Sequence, residues 1–193
     1  SQMEGFNADV AHELCTPLAT LIANNELALR RPEQEDMREV LASNLEELHR
    51  LTAIVNDMLF LSQADRGVGA RRAPVVSLAS MAADVLDYHE AALAEAGLTA
   101  EVVGDAPGAF DVPLLRRALS NLLGNATRYA KNGSIVQVTF KPSDEDRVLI
   151  RVANCGDTID PEVLPHLFDR FFRGDPARSH GQSNHGLGLA IVG

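Results

Sequence analysis

Apolar residues recur at three- and four-residue steps through the first third of the chain, and this period limits the possible folds more than any other feature. Phe6, Val10, Leu14, Leu18, Leu21 and Ile22 form one stripe, and Met37, Leu41, Leu45, Leu48, Leu51 or Thr52, Val55, Met58 and Leu59 form a second. A period near 3.6 predicts two long amphipathic helices, the second approximating a coiled-coil seam. Arg30-Arg31-Pro32-Glu33 reads as the turn between them. Pro17 is the irregular member; it lacks a backbone donor and is expected to bend the first helix about one turn earlier unless neighbouring packing tolerates it. Two long helices on a short connection make an antiparallel hairpin, and a hairpin alone cannot bury stripes of this length. A homodimer forming a four-helix bundle is the economical solution.

The helical period stops between Asp65 and Pro74, where Gly67, Gly69, Ala70, Arg71, Arg72 and Pro74 crowd together. This predicts a hairpin domain over 1–66, a linker over 67–74 and a second domain over 75–193. In that second part a helix from about Ser77 to Ala96, a strand over Leu98–Val103, a helix over Asp111–Ala130 and strands at Ile135–Phe140 and Val148–Ala153 imply an α+β two-layer sandwich. Residues 174–185 carry no apolar period, and a loop of that length in a compact domain is usually functional or disordered.

Composition removes several function classes. The 27 acidic residues against 17 basic give a formal charge of −10, a poor surface for gripping a phosphate backbone, so nucleic acid is not expected as a partner. No apolar run approaches the roughly 18 to 20 residues that span a bilayer, and Ser1-Gln2-Met3-Glu4 lacks the features of a signal peptide. A soluble, cytoplasmic piece without membrane contact of its own is expected. Cys15 and Cys155 stand far apart without CxxC or CxxH spacing, so neither a zinc site nor a disulfide scaffold is suggested.

The chemistry is concentrated in a few places. Asp111 reads as the N-cap of a helix with Pro113 in its first turn. Leu115, Leu119, Leu122 and Ala126 form the core face of that helix, while Arg117, Asn121, Asn125 and Arg128 recur on another face. Such a stripe is either a solvated surface or a row of neutral oxygen ligands and cations facing a phosphate-bound Mg²⁺. Asn154-Cys155-Gly156-Asp157-Thr158-Ile159 follows a strand as a turn that can place a polar side chain in a pocket. Phe168–Arg173 crowds three phenylalanines between charges, and Gly186–Val192 opens an apolar helix with two glycines whose bare amides suit phosphate oxygens. Other patterns fail. Gly181 and Gly186 have P-loop spacing but lack the Lys-Ser/Thr pair, and His12-Glu13-Leu14-Cys15-Thr16 lacks the second histidine of a zinc protease.

Taken together, these segments resemble the sequence boxes of bacterial two-component sensor histidine kinases. Asp9–Leu18 is similar to the phosphoacceptor box, Asn121–Tyr129 to the N box, Asn154–Ile159 to the first glycine box, Phe168–Arg173 to the F box and Gly186–Val192 to the second glycine box. Five boxes in order across nearly the whole chain is a specific signal. The Val-x-Asn-x-Gly form of the first glycine box and the Asn7-Ala8-Asp9-Val10-Ala11-His12 start look most like the heavy-metal (copper or silver) sensor branch. There are departures: Cys15 replaces a basic residue, Asn154 the commoner Asp, and Thr158 the second glycine.

The resemblance implies that His12 is phosphorylated by ATP, with Glu13 orienting its ring and Thr16 serving a reverse, phosphatase reaction. It implies ATP binding by Asn121, Asn125, Arg128, Tyr129, Asn154, Gly156, Ile159, Phe172, Arg173, Gly186, Leu187, Gly188 and Leu189, with Asn125 the Mg²⁺ ligand. The implied partner is a response-regulator receiver domain that accepts the phosphoryl group on an Asp, and the implied parent is membrane-anchored. A catalytically silent dimeric scaffold and a related ATPase without self-phosphorylation are the competing expectations.

Overall fold

The computed structural model describes residues 2–30, 34–65, 69–143, 147–172 and 186–192, with side chains described for 14–28, for 37–64 and from 69 onward within those ranges. Contacts gather into two compact units, residues 1–66 with 170–187 and residues 67–169 with 188–193.

The first unit is built on two long helices, α1 (Gln2–Arg30) and α2 (Gln34–Asp65). Helix α1 runs unbroken through Pro17, which is fully buried, so packing holds the helix where the missing donor would have weakened it. Among the described residues of these two helices, the buried positions are Pro17, Ala28, Asn44, Ile54 and Leu61. Asn44 is the polar exception, and it is paired across the hairpin. Its Nδ2 donates to Asn25 Oδ1 at 3.0 Å, and its Oδ1 accepts from Asn24 Nδ2 at 3.4 Å. Asn24 also donates to Ser43 Oγ at 3.1 Å. Most of both stripes read from sequence lies elsewhere: Leu18, Ile22, Leu41, Leu45, Leu48, Val55 and Leu59 are 43–59% exposed. The chain therefore uses one face of each helix internally and leaves a second apolar face uncovered.

The second unit contains β1 (Ala73–Val75), α3 (Leu78–Glu95), β2 (Thr99–Val103), β3 (Gly108–Phe110), α4 (Val112–Tyr129), β4 (Ile135–Pro142), β5 (Val148–Ala153) and the five-residue α5 (Gly188–Val192). The main sheet runs β2-β4-β5, with β2 parallel to β4 and β4 antiparallel to β5. Strand β4 shows the period of two that a half-covered sheet requires: Val136, Val138 and Phe140 are buried, and Gln137 and Thr139 are less so. Helices α3 and α4 cover that side, closing a core of Leu78, Met81, Val85, Leu119, Leu123 and Ala126 against Val136, Val138 and Phe140. Helix α3 starts where the Ser77 hydroxyl accepts from Ser80 N at 3.0 Å.

Strands β1 and β3 form a separate antiparallel pair with Ala73 opposite Phe110 and Val75 opposite Gly108. At three residues each they are too short to show alternation, which is why periodicity missed them. Ala73 and Pro74, which the sequence reading put at the end of a linker over 67–74, form part of β1.

Candidate functional site

Helix α4 positions the polar stripe. The Asp111 carboxylate accepts from Leu114 N at 3.2 Å, fixing where the helix starts and so which face each later residue occupies. Arg117, Asn121, Asn125 and Arg128 are all half-buried, while Leu114 and Gly124, on the same side of the helix by spacing, are exposed. Asn121 is the most informative member: its Nδ2 is buried and has no hydrogen-bond partner among the described residues. Gly188, the first residue of α5, lies against it, since a β-carbon at 188 would sit 3.6 Å from Asn121 Cγ and Oδ1. A buried, unpaired amide donor costs about 1–3 kcal/mol, so the site calls for an acceptor such as a phosphate oxygen.

The C-terminal end of α4 is stitched to the turn after β5. Ala130 pairs with Gly156 in an antiparallel bridge, Lys131 N donates to the Cys155 carbonyl at 2.8 Å, and the Lys131 ammonium lies 3.7 Å from Asp157 Oδ1. This brings Tyr129, Asn154 and Gly156 together. Gly156 is needed for space: a β-carbon there would meet the Tyr129 carbonyl oxygen at 2.5 Å. Asn154, Tyr129 and Ile159 are exposed.

A third junction joins Phe171 and Phe172 to Gly186. Phe171 N donates to the Gly186 carbonyl at 2.9 Å, and Phe171 adopts φ 62, the one positive φ outside glycine among the described residues. Gly186 has φ 67 itself, and a β-carbon on it would lie 2.7 Å from the Phe172 carbonyl oxygen, so both conformation and space demand glycine. Phe172 is half-buried and Leu187 fully buried, while Gly188 and Leu189 lie in the first turn of α5, which packs on α4. Arg173 and the loop read at 174–185 lie outside the described residues.

His12 and Glu13 lie on α1 with their side chains outside the described set. Thr16, one helical turn on, shares a face with His12 and is exposed. Its carbonyl accepts from the Thr20 hydroxyl at 3.2 Å. Among the described residues no group of three or more His, Cys, Asp or Glu could hold a metal ion. A divalent ion at α4 would rest on neutral carboxamide oxygen, as at Asn125, a hard ligand of the kind Mg²⁺ takes when substrate phosphates supply the charge.

Sequence reading missed two residues. His89, which no sequence pattern singles out, is half-buried on α3 with Nε2 2.7 Å from Ser120 Oγ, next to Asn121 along α4. Burial holds its imidazole below the ordinary value of 6.5. Asp111, read only as a cap, has a second partner in the Arg71 amide at 2.7 Å. Long-range pairings such as these leave no local signature.

Two family models match the chain. Residues 2–67 match the His Kinase A (phospho-acceptor) domain, and residues 110–193 match the histidine kinase-, DNA gyrase B- and HSP90-like ATPase. The chain is built of a histidine kinase phospho-acceptor domain followed by a histidine kinase-type ATPase domain. The sensor histidine kinase CusS of Escherichia coli K12 is 43% identical over 194 residues, covering 100% of this chain and 40% of CusS. The sensor protein CopS of Pseudomonas syringae pv. tomato is 36% identical over 94% of this chain and 37% of its own length. The chain thus spans less than half of either kinase. The crystal structure of full-length ShkA in complex with AMPPNP aligns with a TM-score of 0.70 at 27% identity, covering 96% of this chain and 39% of that one. The hairpin followed by an α+β sandwich expected from sequence is the fold observed.

Proposed function

We propose that this chain is the catalytic core of a sensor kinase that phosphorylates itself on His12 from ATP and passes the phosphoryl group to an Asp of a response-regulator receiver domain. The observation that carries the nucleotide half of this reading is the buried, unpaired amide of Asn121 beside the bare start of α5. A phosphate oxygen supplies the acceptor that amide lacks. Asn125 offers a neutral oxygen to Mg²⁺, which when bound offsets phosphate charge, and Arg128 completes the polar row. Tyr129, Asn154, Gly156 and Ile159 surround the base. The Asn154 carboxamide oxygen accepts the exocyclic amine of adenine and its NH₂ donates to the neighbouring ring nitrogen, a pattern that guanine mismatches.

In the transfer, neutral imidazole nitrogen of His12 attacks the γ-phosphorus in line. The N–P bond forms as the bond to the β–γ bridging oxygen breaks, and ADP leaves. Glu13 accepts the other ring N–H and stabilises the positive charge that develops, and Thr16 on the same helix face serves the reverse, phosphatase reaction. The uncovered apolar face of α1 and α2 supports a homodimer with a four-helix bundle. We assign the parent protein a membrane anchor, a metal-ion stimulus and a cytosolic position for this part; none of the described helices is itself long and apolar enough to cross a membrane.

Incubation with γ-labelled ATP and Mg²⁺ tests the reading. An acid-labile, base-stable adduct on His12 is the expected product. Absence of label in a chain that still binds ATP would reduce the protein to a nucleotide-binding scaffold.

A further inference from the structure

Helices α3 and α4 pack through aliphatic side chains, Met81, Ala82 and Val85 from α3 and Leu119, Leu123 and Ala126 from α4. Such contacts are non-directional, so one apolar surface can turn a little on another at small cost. Two polar pairs limit that freedom. At the exposed edge the Arg116 guanidinium pairs with the Asp84 carboxylate, a surface ion pair of little strength. One turn further along both helices, His89 Nε2 lies 2.7 Å from Ser120 Oγ, and here both residues are half-buried. A ring nitrogen and a hydroxyl can each donate or accept, so the bond forms with either tautomer of the neutral ring that burial favours. An aliphatic side chain at position 89 would fill the space without the cost of desolvating an imidazole, and the Ser120 hydroxyl is the hydrogen-bond partner that offsets this cost.

Ser120 immediately precedes Asn121, whose buried Nδ2 has no hydrogen-bond partner among the described residues and whose side chain lies against Gly188. Neighbours in a helix are a fixed rotation of about 100° apart, so tying the Ser120 hydroxyl to α3 sets the direction in which the Asn121 carboxamide points. Hydrogen bonds weaken steeply off axis, and an amide that must meet an acceptor tolerates little rotation of its helix.

We propose that His89 is a positioning residue for nucleotide binding, holding α4 through Ser120 at the rotation that aims the Asn121 amide at the phosphates. This inference rests on the nucleotide reading above. His89 acts through Ser120 and the backbone of α4 rather than on the nucleotide.

Variants of the full chain, studied at about pH 7.5 where the ring is neutral, separate positioning from plain stability. His89→Leu and Ser120→Ala each remove the bond. His89→Gln carries an amide nitrogen toward the place of Nε2, and Ser120→Thr keeps the hydroxyl. In the double variant His89→Leu/Ser120→Ala both partners are gone and neither is left unpaired, so its denaturant midpoint is expected to return close to that of the parent. ATP Kd, titrated calorimetrically with Mg²⁺, is expected to rise about fivefold or more in both single removals and no further in the double, since all three lose one bond. His89→Gln and Ser120→Thr should stay within about twofold of the parent. Affinity that recovers along with the midpoint in the double variant would make the pair structural only and overturn the proposal. Parent-like affinity in His89→Leu, or a His89→Gln chain as weak as His89→Leu, would overturn it too. A parent chain that binds no ATP overturns the nucleotide reading and this inference with it, whereas equal binding by the parent and by His89→Leu sinks this inference alone.

Discussion

Gly156 lies so close to Tyr129 that a β-carbon on it would press into the backbone carbonyl at 2.5 Å. The neighbour is backbone, paired into the end of α4, and has no rotamer by which to yield. Gly156→Ala is therefore expected to push the first glycine box away from α4. Forced overpacking of this kind costs about 1–3 kcal/mol. A lower denaturant midpoint together with weaker ATP binding is the expected result, and a variant that matches the parent in both would show that the turn slides freely.

For His12→Gln, nucleotide binding and the hairpin fold are expected to persist while the acid-labile label disappears. The adduct and the affinity are read on the same sample. Residual label would move the acceptor to another side chain.

The Asn121 amide separates stability from binding. Its Nδ2 is buried without a partner, so Asn121→Leu, close in volume, removes an unpaired donor. Thermal stability without nucleotide is expected to hold or rise by about 1 kcal/mol, because the desolvation penalty disappears. ATP affinity is expected to drop about tenfold or more. A variant that loses stability and keeps affinity would make Asn121 a structural residue.

His89 sets a pH dependence. Its imidazole titrates below 6.5 in the folded unit because burial disfavours the cation. Between that lowered value and 6.5 the unfolded chain binds more protons than the folded one, so stability rises with pH through this window. It is fully present above the unfolded value and lost as pH falls below it. Denaturant midpoints from about pH 7.5 to 5 should decline, and His89→Gln should flatten the decline. An unchanged slope would assign the effect to other groups.

Much of the fold was legible because its elements obey a single period for many residues. The spacing of Leu115, Leu119 and Ala126, with Asp111 and Pro113 ahead, marked α4 almost to the residue, and Val136, Val138 and Phe140 marked β4. The hairpin was legible as two helices but not as to which faces meet. The stripe from Leu41 to Leu59 is the strongest apolar signal and is largely uncovered, whereas the internal face carries Asn24, Ser43 and Asn44, which no hydrophobic period reveals. Strands β1 and β3 were hidden by their length, and the Arg71–Asp111 bond by sequence distance. Of the site, Asn121 and Asn125 stood out because mid-helix asparagines sacrifice helix propensity. Nothing local distinguished His89 from any other surface histidine.

The asparagine layer within the hairpin determines which movements it permits. Three carboxamides and a hydroxyl meet across α1 and α2 at one level only. A piston stroke of one helical turn, about 5.4 Å, would carry Asn44 past both of its partners. Its buried amide, so stranded, would cost about 1–3 kcal/mol. Rotation or tilting that keeps Asn24, Asn25 and Asn44 level avoids that penalty. Between these two helices, twist or bend is therefore the cheaper motion and axial travel the costlier one.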